Sequence, residues 1–255
     1  MSLGRPTPAA HFAAAALYEH RLGNLGRCFA ACGLSPLIVK GQSVSDLAYG
    51  ELEPRLASDV DLLVSDDESA VCQALIQAGY HERTDPQRRV SSQLLGERPF
   101  VTKTAALPPL VEVHRFLDKG ILRPVDYAGI HLRAQPSGRE GFHYPSPEDL
   151  LLLLVLHEAV SLKPSHARTS RDIARLLARA KPDMAVVRER ARAWELTRAL
   201  EAILAGRPPA GACTPGLAYL WSQRKWHDRQ STWAKGLLRY ALARGRDRLG
   251  RRLGR

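Results

Sequence analysis

Two aspartates separated by one valine, Asp59-Val60-Asp61, stand at the head of an apolar run that continues through Leu62, Leu63 and Val64. This placement constrains the chain more than any other feature. Successive side chains on a strand point to opposite faces, so the two carboxylates share a face about 7 Å apart while Val60 and Leu62 point to the other. Neighbouring carboxylates resist ionising together unless positive charge lies between them. A divalent cation removes that cost, and hard oxygen ligands suit Mg²⁺, which commonly joins one or two carboxylates to substrate phosphates. The competing reading is a turn or surface-edge pair, since Asp is a poor strand former.

The surroundings favour the metal. Segment 35–66, SPLIVKGQSVSDLAYGELEPRLASDVDLLVSD, reads as a short strand over 36–39, a Lys40-Gly41 turn, a helix over 43–49 and the Asp-x-Asp strand over 60–64. A third acid is then expected on an adjacent strand, and Leu110-Val111-Glu112-Val113-His114 supplies Glu112. Paired strands lie about 4.8 Å apart, so Glu112 reaches the same face if the two strands are neighbours. Alternation puts His114 on the face of Glu112, either as a proton carrier or phosphate contact or as a residue that only orients its neighbour. Gly41 lets backbone approach a phosphate closely, with Ser43 just beyond it. Lys40 either reaches a triphosphate or pins the turn to a neighbouring carboxylate. Arg55 touches phosphate, orients the acids, or forms a salt bridge that shapes the loop.

The order of strand, glycine turn, helix, Asp-x-Asp strand and later acid-bearing strand resembles the nucleotidyltransferase superfamily of the DNA polymerase beta type. More closely, LIVKGQSVSDLAY, RLASDVDLLV, LVEVH and SPEDLLLLLVLHEA are similar to an uncharacterised bacterial nucleotidyltransferase family marked by Leu-Lys-Gly followed by Arg-x-x-x-Asp-x-Asp-Leu-Leu-Val. The resemblance covers residues 10–180. It implies an α/β (α+β) fold, a small mixed sheet flanked by helices and followed by a C-terminal helical domain. It also implies transfer of a nucleoside monophosphate from an NTP to an acceptor hydroxyl, with release of pyrophosphate. In that reading Asp59, Asp61 and Glu112 are the catalytic, metal-holding residues for two Mg²⁺ or Mn²⁺ ions, and Lys40, Gly41, Ser43, Arg55 and His114 contact the nucleotide. The acceptor is a small molecule, a peptide or protein, or an RNA end. Family members that lie beside peptide-tailoring and polysaccharide genes point toward a biosynthetic acceptor. One departure stands out: many nucleotidyltransferases carry a phosphate-contacting Ser directly after the glycine, and here Gln42 occupies that place. His157 and Asp172 stand where related proteins carry similar residues, and helix packing explains them equally well.

A non-catalytic nucleotide- or nucleic-acid-binding protein on the same scaffold is the alternative; the presence of all three acids argues against a nucleotide binder that has lost turnover, while a basic nucleic-acid-binding protein would use the acids structurally. Charge bears on that choice. The 255-residue chain has a formal charge of +11, yet residues 1–145 carry 15 Lys+Arg against 16 Asp+Glu while residues 146–255 carry 22 against 10. The basic half suits nucleic acid, anionic lipid or a triphosphate, or simply reflects arginine-rich solvated helix faces. Segment 233–255 holds eight Lys+Arg and one Asp among several leucines, and its simplest reading is a frayed basic tail.

Cys28, Cys32, Cys72 and Cys213 form no CxxC pair, which fits reduced thiols in a cytoplasmic protein. The longest strongly apolar run, 150–156, is too short for the roughly 20 residues that cross a bilayer. Periodicity predicts helices over 8–33, 66–79, 147–161, 167–180, 183–205, 214–225 and 231–250, with strands over 100–104 and 110–117. Residues 80–92 read as a loop or ragged strand edge. Ser146-Pro147-Glu148-Asp149 is a strong helix start, and the boundary between a catalytic domain 1–145 and a helical domain 146–255 is placed there.

Overall fold

The computed structural model of the protein describes residues 8–49, 55, 57, 59–83, 96–118, 123–160, 166–207 and 228–252. Its centre is the strand β2 (Val60–Leu63), four residues buried on both sides. Around it lie β1 (Leu37–Ile38), β3 (His81–Glu82), β4 (Glu97–Val101), β5 (Leu110–His114), β6 (Gln135–Pro136) and β7 (His143–Tyr144). They form one mixed sheet of order β3-β4-β5-β2-β1-β7-β6. β2 runs parallel to β5 and antiparallel to β1, so the strand bearing Glu112 is a direct neighbour of the Asp-x-Asp strand, as the third-acid argument requires.

Alternation along β2 feeds two apolar cores. Val60, Leu62 and Val64 pack with Ile38, Val111 and Val113 under α1 (Pro8–Ala31) and α3 (Glu68–Gln77), through Leu22, Leu25, Phe29, Val71 and Leu75. Leu63, Leu37 and Val39 meet the other helices: α4 (Tyr127–Leu132), α5 (Pro147–Val160), α6 (His166–Arg179), α7 (Met184–Ala193) and α8 (Thr197–Leu204). α5 is the hub of that layer. Residues 150–156 are apolar all round and all buried, because α5 touches the sheet on one side and α6, α7 and α8 on the others. Its start is capped as the sequence predicts, with the Asp149 amide donating to Ser146 Oγ at 3.2 Å.

Most expected elements appear, with shifts that have local causes. α1 closes at Gly33, whose φ of +68° suits a left-handed cap, and α3 closes likewise at Gly79 (φ +93°). The predicted strand 100–104 instead spans Glu97–Val101, because pairing runs from Glu97↔His114 to Val101↔Leu110 and residues 102–109 make the turn between β4 and β5. The predicted helix 183–205 is two helices. Trp194 and Leu196 are both buried, and the chain turns between them at Glu195 (φ +56°), with the Leu196 amide bonded back to the Ala191 carbonyl at 2.8 Å. No glycine or proline marks that corner. The helix expected over 43–49 is the short α2 (Gln42–Val44) continued by a π-helical turn, Ser45–Tyr49. The basic segment expected to fray forms α9 (Gln230–Arg252). The helix expected over 214–225 lies outside the described residues, as does most of the predicted loop 80–92.

Two glycines set how α1 meets the sheet. A Cβ on Gly141, which lies at φ +74°, would stand 2.1 Å from the Gly26 carbonyl oxygen, and a Cβ on Gly26 would stand 2.2 Å from the Glu140 carbonyl oxygen. Backbone therefore packs on backbone where the β6–β7 hairpin crosses α1. Gly141→Ala is expected to lower stability by about 2 kcal/mol through the forced separation and the left-handed φ, read as a shift in the urea midpoint.

Candidate active site

The parallel pairing of β2 with β5 puts Asp61 opposite Glu112 and Leu63 opposite His114. Asp61, Glu112 and His114 all project to the face that α5–α8 cover. Each offers a ligand atom within 4.8 Å of the others'. His114 Nε2 lies 3.0 Å from Asp61 Oδ1 and 3.7 Å from Glu112 Oε2, and Lys40 Nζ reaches the same Asp61 oxygen at 2.6 Å. Asp59 sits just before β2, half-buried, and its carbonyl accepts a 2.9 Å bond from Tyr18 Oη on α1. Asp59 is not in the three-residue cluster, but its charge reaches the cluster: it helps to raise the pKa values of both Lys40 and Glu112.

The electrostatics divide the two acids. Burial alone would push Asp61 up, but the Lys40 ammonium and the His114 hydrogen bond outweigh it and hold Asp61 far below the usual carboxylate range. Glu112 goes the other way. Burial, then the charges of Asp61, Glu97 and Asp59, push it up to about 7 against the opposing pull of Lys40. Lys40 is raised, because Asp61, Glu112 and Asp59 overcome the desolvation that would lower it. Among the described residues, one lysine thus faces three carboxylates, an excess of acidic groups over the cation that they share.

The remaining predicted residues converge on the turn before α2. Gly41 adopts φ 57° and ψ −99°, a conformation open to glycine alone, and a Cβ there would stand 3.2 Å from the Ala57 Cβ. The Gly41 carbonyl accepts from the Ser45 amide at 3.0 Å and from Arg55 Nη1 at 3.4 Å. Ser43 is fully buried, with Oγ 3.4 Å from the Lys40 carbonyl oxygen. Arg55 Nε donates at 2.9 Å to Asp172 on α6, and the Tyr49 hydroxyl donates to the other Asp172 oxygen at 2.6 Å. Arg55 therefore joins the glycine turn to α6, and Asp172 is the buried anchor of that link. Lys40 is ion-paired to Asp61 at 2.6 Å, beside the glycine turn.

Sequence reasoning missed Glu19, Asp46, Arg139 and Tyr144, which hold this turn from behind through Gln42, and Tyr18, which holds the Asp59 carbonyl. They are scattered over four elements with no shared spacing, and only the tertiary fold brings them together.

The donor set fits a divalent cation: two carboxylates and an imidazole converge at bonding range, and an excess of acidic groups surrounds them. No helix among the described residues is long and apolar enough to cross a membrane. Comparison with curated proteins finds no match. A family described as "Uncharacterised nucleotidyltransferase" matches residues 9–205, a span that takes in the whole sheet, the glycine turn and α5–α8. The chain belongs to that nucleotidyltransferase family and is an enzyme of that class.

Proposed function

We propose that the protein is a Mg²⁺-dependent nucleotidyltransferase that joins a nucleoside monophosphate from an NTP to an acceptor hydroxyl and releases pyrophosphate. The observation that carries the reading is the pairing of Asp61 with Glu112 across β2 and β5, with His114 in the same cluster. Asp61, Asp59 and Glu112 would hold the metal. When bound, two such ions polarise the α-phosphate, lower the acceptor's pKa and offset the charge that develops on the leaving pyrophosphate.

The chain's own groups have distinct tasks in this scheme. Asp61 stays ionised through Lys40 and His114, so it presents a charged oxygen at any pH near neutral. Glu112 would complete the metal site and take up the acceptor's proton; its rise to about 7 belongs to the metal-free chain, and a bound cation would lower it. Lys40 and the Gly41 turn stand beside these acids and would receive the triphosphate, with Ser43 and Arg55 fixing the turn's shape. α5–α8, which pack on the face of the sheet that carries Asp61 and Glu112, would form the lid side of the nucleotide pocket. The basic excess of residues 146–255 would suit an anionic acceptor such as an RNA end, and a biosynthetic small molecule or peptide is the other acceptor class.

Calorimetry with each NTP, with and without Mg²⁺, tests the reading. Metal-dependent binding by the wild type, lost in the Asp59→Ala/Asp61→Ala double variant, is the expected result. Binding that ignores Mg²⁺ and survives the double substitution would mean that the acids have no part in nucleotide recognition. Salt-sensitive binding of nucleic acid without NTP binding would favour the non-catalytic reading.

A further inference from the structure

The residue that follows the glycine turn is held by a clamp drawn from four elements. Gln42 is 4% exposed, and its Nε2 donates to Glu19 Oε1 on α1 and to Asp46 Oδ1 on the π-helical turn, each at 2.8 Å. Arg139, on the loop between β6 and β7, bridges the same two carboxylates. Its Nε donates to Asp46 Oδ2 and to Tyr144 Oη, each at 3.0 Å. Its Nη2 donates to Glu19 Oε1 and Asp46 Oδ1, each at 3.2 Å, and its Nη1 bonds Glu19 Oε2. The Tyr144 hydroxyl completes the set by donating to Asp46 Oδ2 at 2.5 Å.

The Gly26–Gly141 contact explains how Arg139 arrives there. Only with both side chains absent can the hairpin lie against α1 closely enough for one guanidinium to span Glu19 and Asp46. The clamp acts on a small target. An amide shared by two carboxylates, which a guanidinium also shares, cannot rotate, and the backbone of residue 42 is fixed with it. Gly41 is then held on both sides, by Gln42 behind it and by Arg55 and Ser45 on its carbonyl. The same helix α1 also secures the start of β2, because Tyr18, the neighbour of Glu19, holds the Asp59 carbonyl. One helix thus holds both the glycine turn, through Glu19, and the start of the acid-bearing strand, through Tyr18.

We propose that Gln42 and Arg139 are positioning residues for the triphosphate, holding the Lys40-Gly41 turn in the shape that receives the phosphates. This rests on the reading above that the turn, with Lys40, is the phosphate-binding element. Gln42 itself is turned away into the clamp, and its contribution is indirect.

Gln42→Ala tests it, because the alanine removes the amide while leaving the Arg139 bridge between Glu19 and Asp46. Three affinities are measured: Mg²⁺-NTP, Mg²⁺ with inorganic tripolyphosphate, and Mn²⁺ alone. The expected result is about tenfold weaker binding of both phosphate ligands, Mn²⁺ affinity as in wild type, a melting temperature lowered by only a few degrees, and a KM effect much larger than any change in kcat. Arg139→Lys, which keeps the charge but cannot fork across two carboxylates, is expected to show the same pattern more weakly and serves if Gln42→Ala does not fold. Unchanged phosphate affinity in a folded variant would overturn the positioning role. Loss for NTP without loss for tripolyphosphate would overturn the link to phosphate. Equal losses for Mn²⁺ and NTP with a lowered melting temperature would assign the clamp to the fold alone. A wild type that binds neither phosphate ligand would overturn the phosphate-turn reading itself.

Discussion

Asp61→Asn is expected to reduce nucleotidyl transfer by about 10³-fold, or to abolish metal-dependent NTP binding where that is the measurement, and to destabilise the fold at the same time. Asp61 Oδ1 meets both Lys40 Nζ and His114 Nε2. The amide keeps the shape but loses the charge, and Lys40, whose side chain is 18% exposed, is left with only the weaker pull of Glu112 and Asp59. Removing one partner of a buried pair costs about 3–5 kcal/mol when the other charge is stranded; with two further carboxylates near Lys40, about 2 kcal/mol is expected here. The double variant Lys40→Met/Asp61→Asn isolates the stability effect, with Lys40→Met alone as the control for activity. Denaturant unfolding should recover most of the lost stability, because no cation is stranded, while activity stays absent. Activity that returned together with stability would mean that Asp61 acts only through packing.

Glu112→Gln is expected to lose activity by a similar factor, since the glutamine can neither take a proton nor carry a metal's charge, yet to make the metal-free protein more stable at alkaline pH. The sign follows from the shift of the carboxyl from 4.5 up to about 7 on folding. Between those values the folded chain keeps a proton that the unfolded chain has released, so wild-type stability falls as pH rises from about 4.5 to 7 and stays at the lower level above that. Glutamine does not ionise and escapes the penalty. In EDTA the variant should match the wild type at pH 4 and exceed it at pH 8, by on the order of 3 kcal/mol. Equal stability at both pH values would show that Glu112 is not under electrostatic stress. Here a substitution that stabilises the fold removes function, as expected where like charges are crowded to hold a cation.

The sheet centre was legible because its signals are local. Val60, Leu62 and Val64 alternate with Asp61 and Leu63, and the same alternation in β5 fixed which face Glu112 shares with His114. The glycine turn was legible for the same reason. What could not be read was set by long-range packing. β6 and β7 are each two residues long and owe their pairing to neighbours, not to propensity. The corner at Glu195 is made by burying Trp194 and Leu196 on either side of it, with no turn residue to announce it. Arg139 lies 93 residues from Asp46 and 120 from Glu19, so the clamp behind Gly41 left no trace in spacing. The role of Arg55 was legible only as a choice; its salt bridge to Asp172 links the glycine turn to α6 across 117 residues of sequence.

The central claim is that the carboxylates of β2 and β5 form a metal site that serves nucleotide binding. Counting Mn²⁺ bound per chain by electron paramagnetic resonance, with and without a non-hydrolysable NTP, tests it most directly. The account predicts two ions per wild-type chain in the presence of the nucleotide, tighter binding of each ligand when the other is present, and loss of this coupling in Glu112→Gln. Nucleotide binding with no Mn²⁺ at the site, or coupling that persists undiminished in Glu112→Gln, would contradict it.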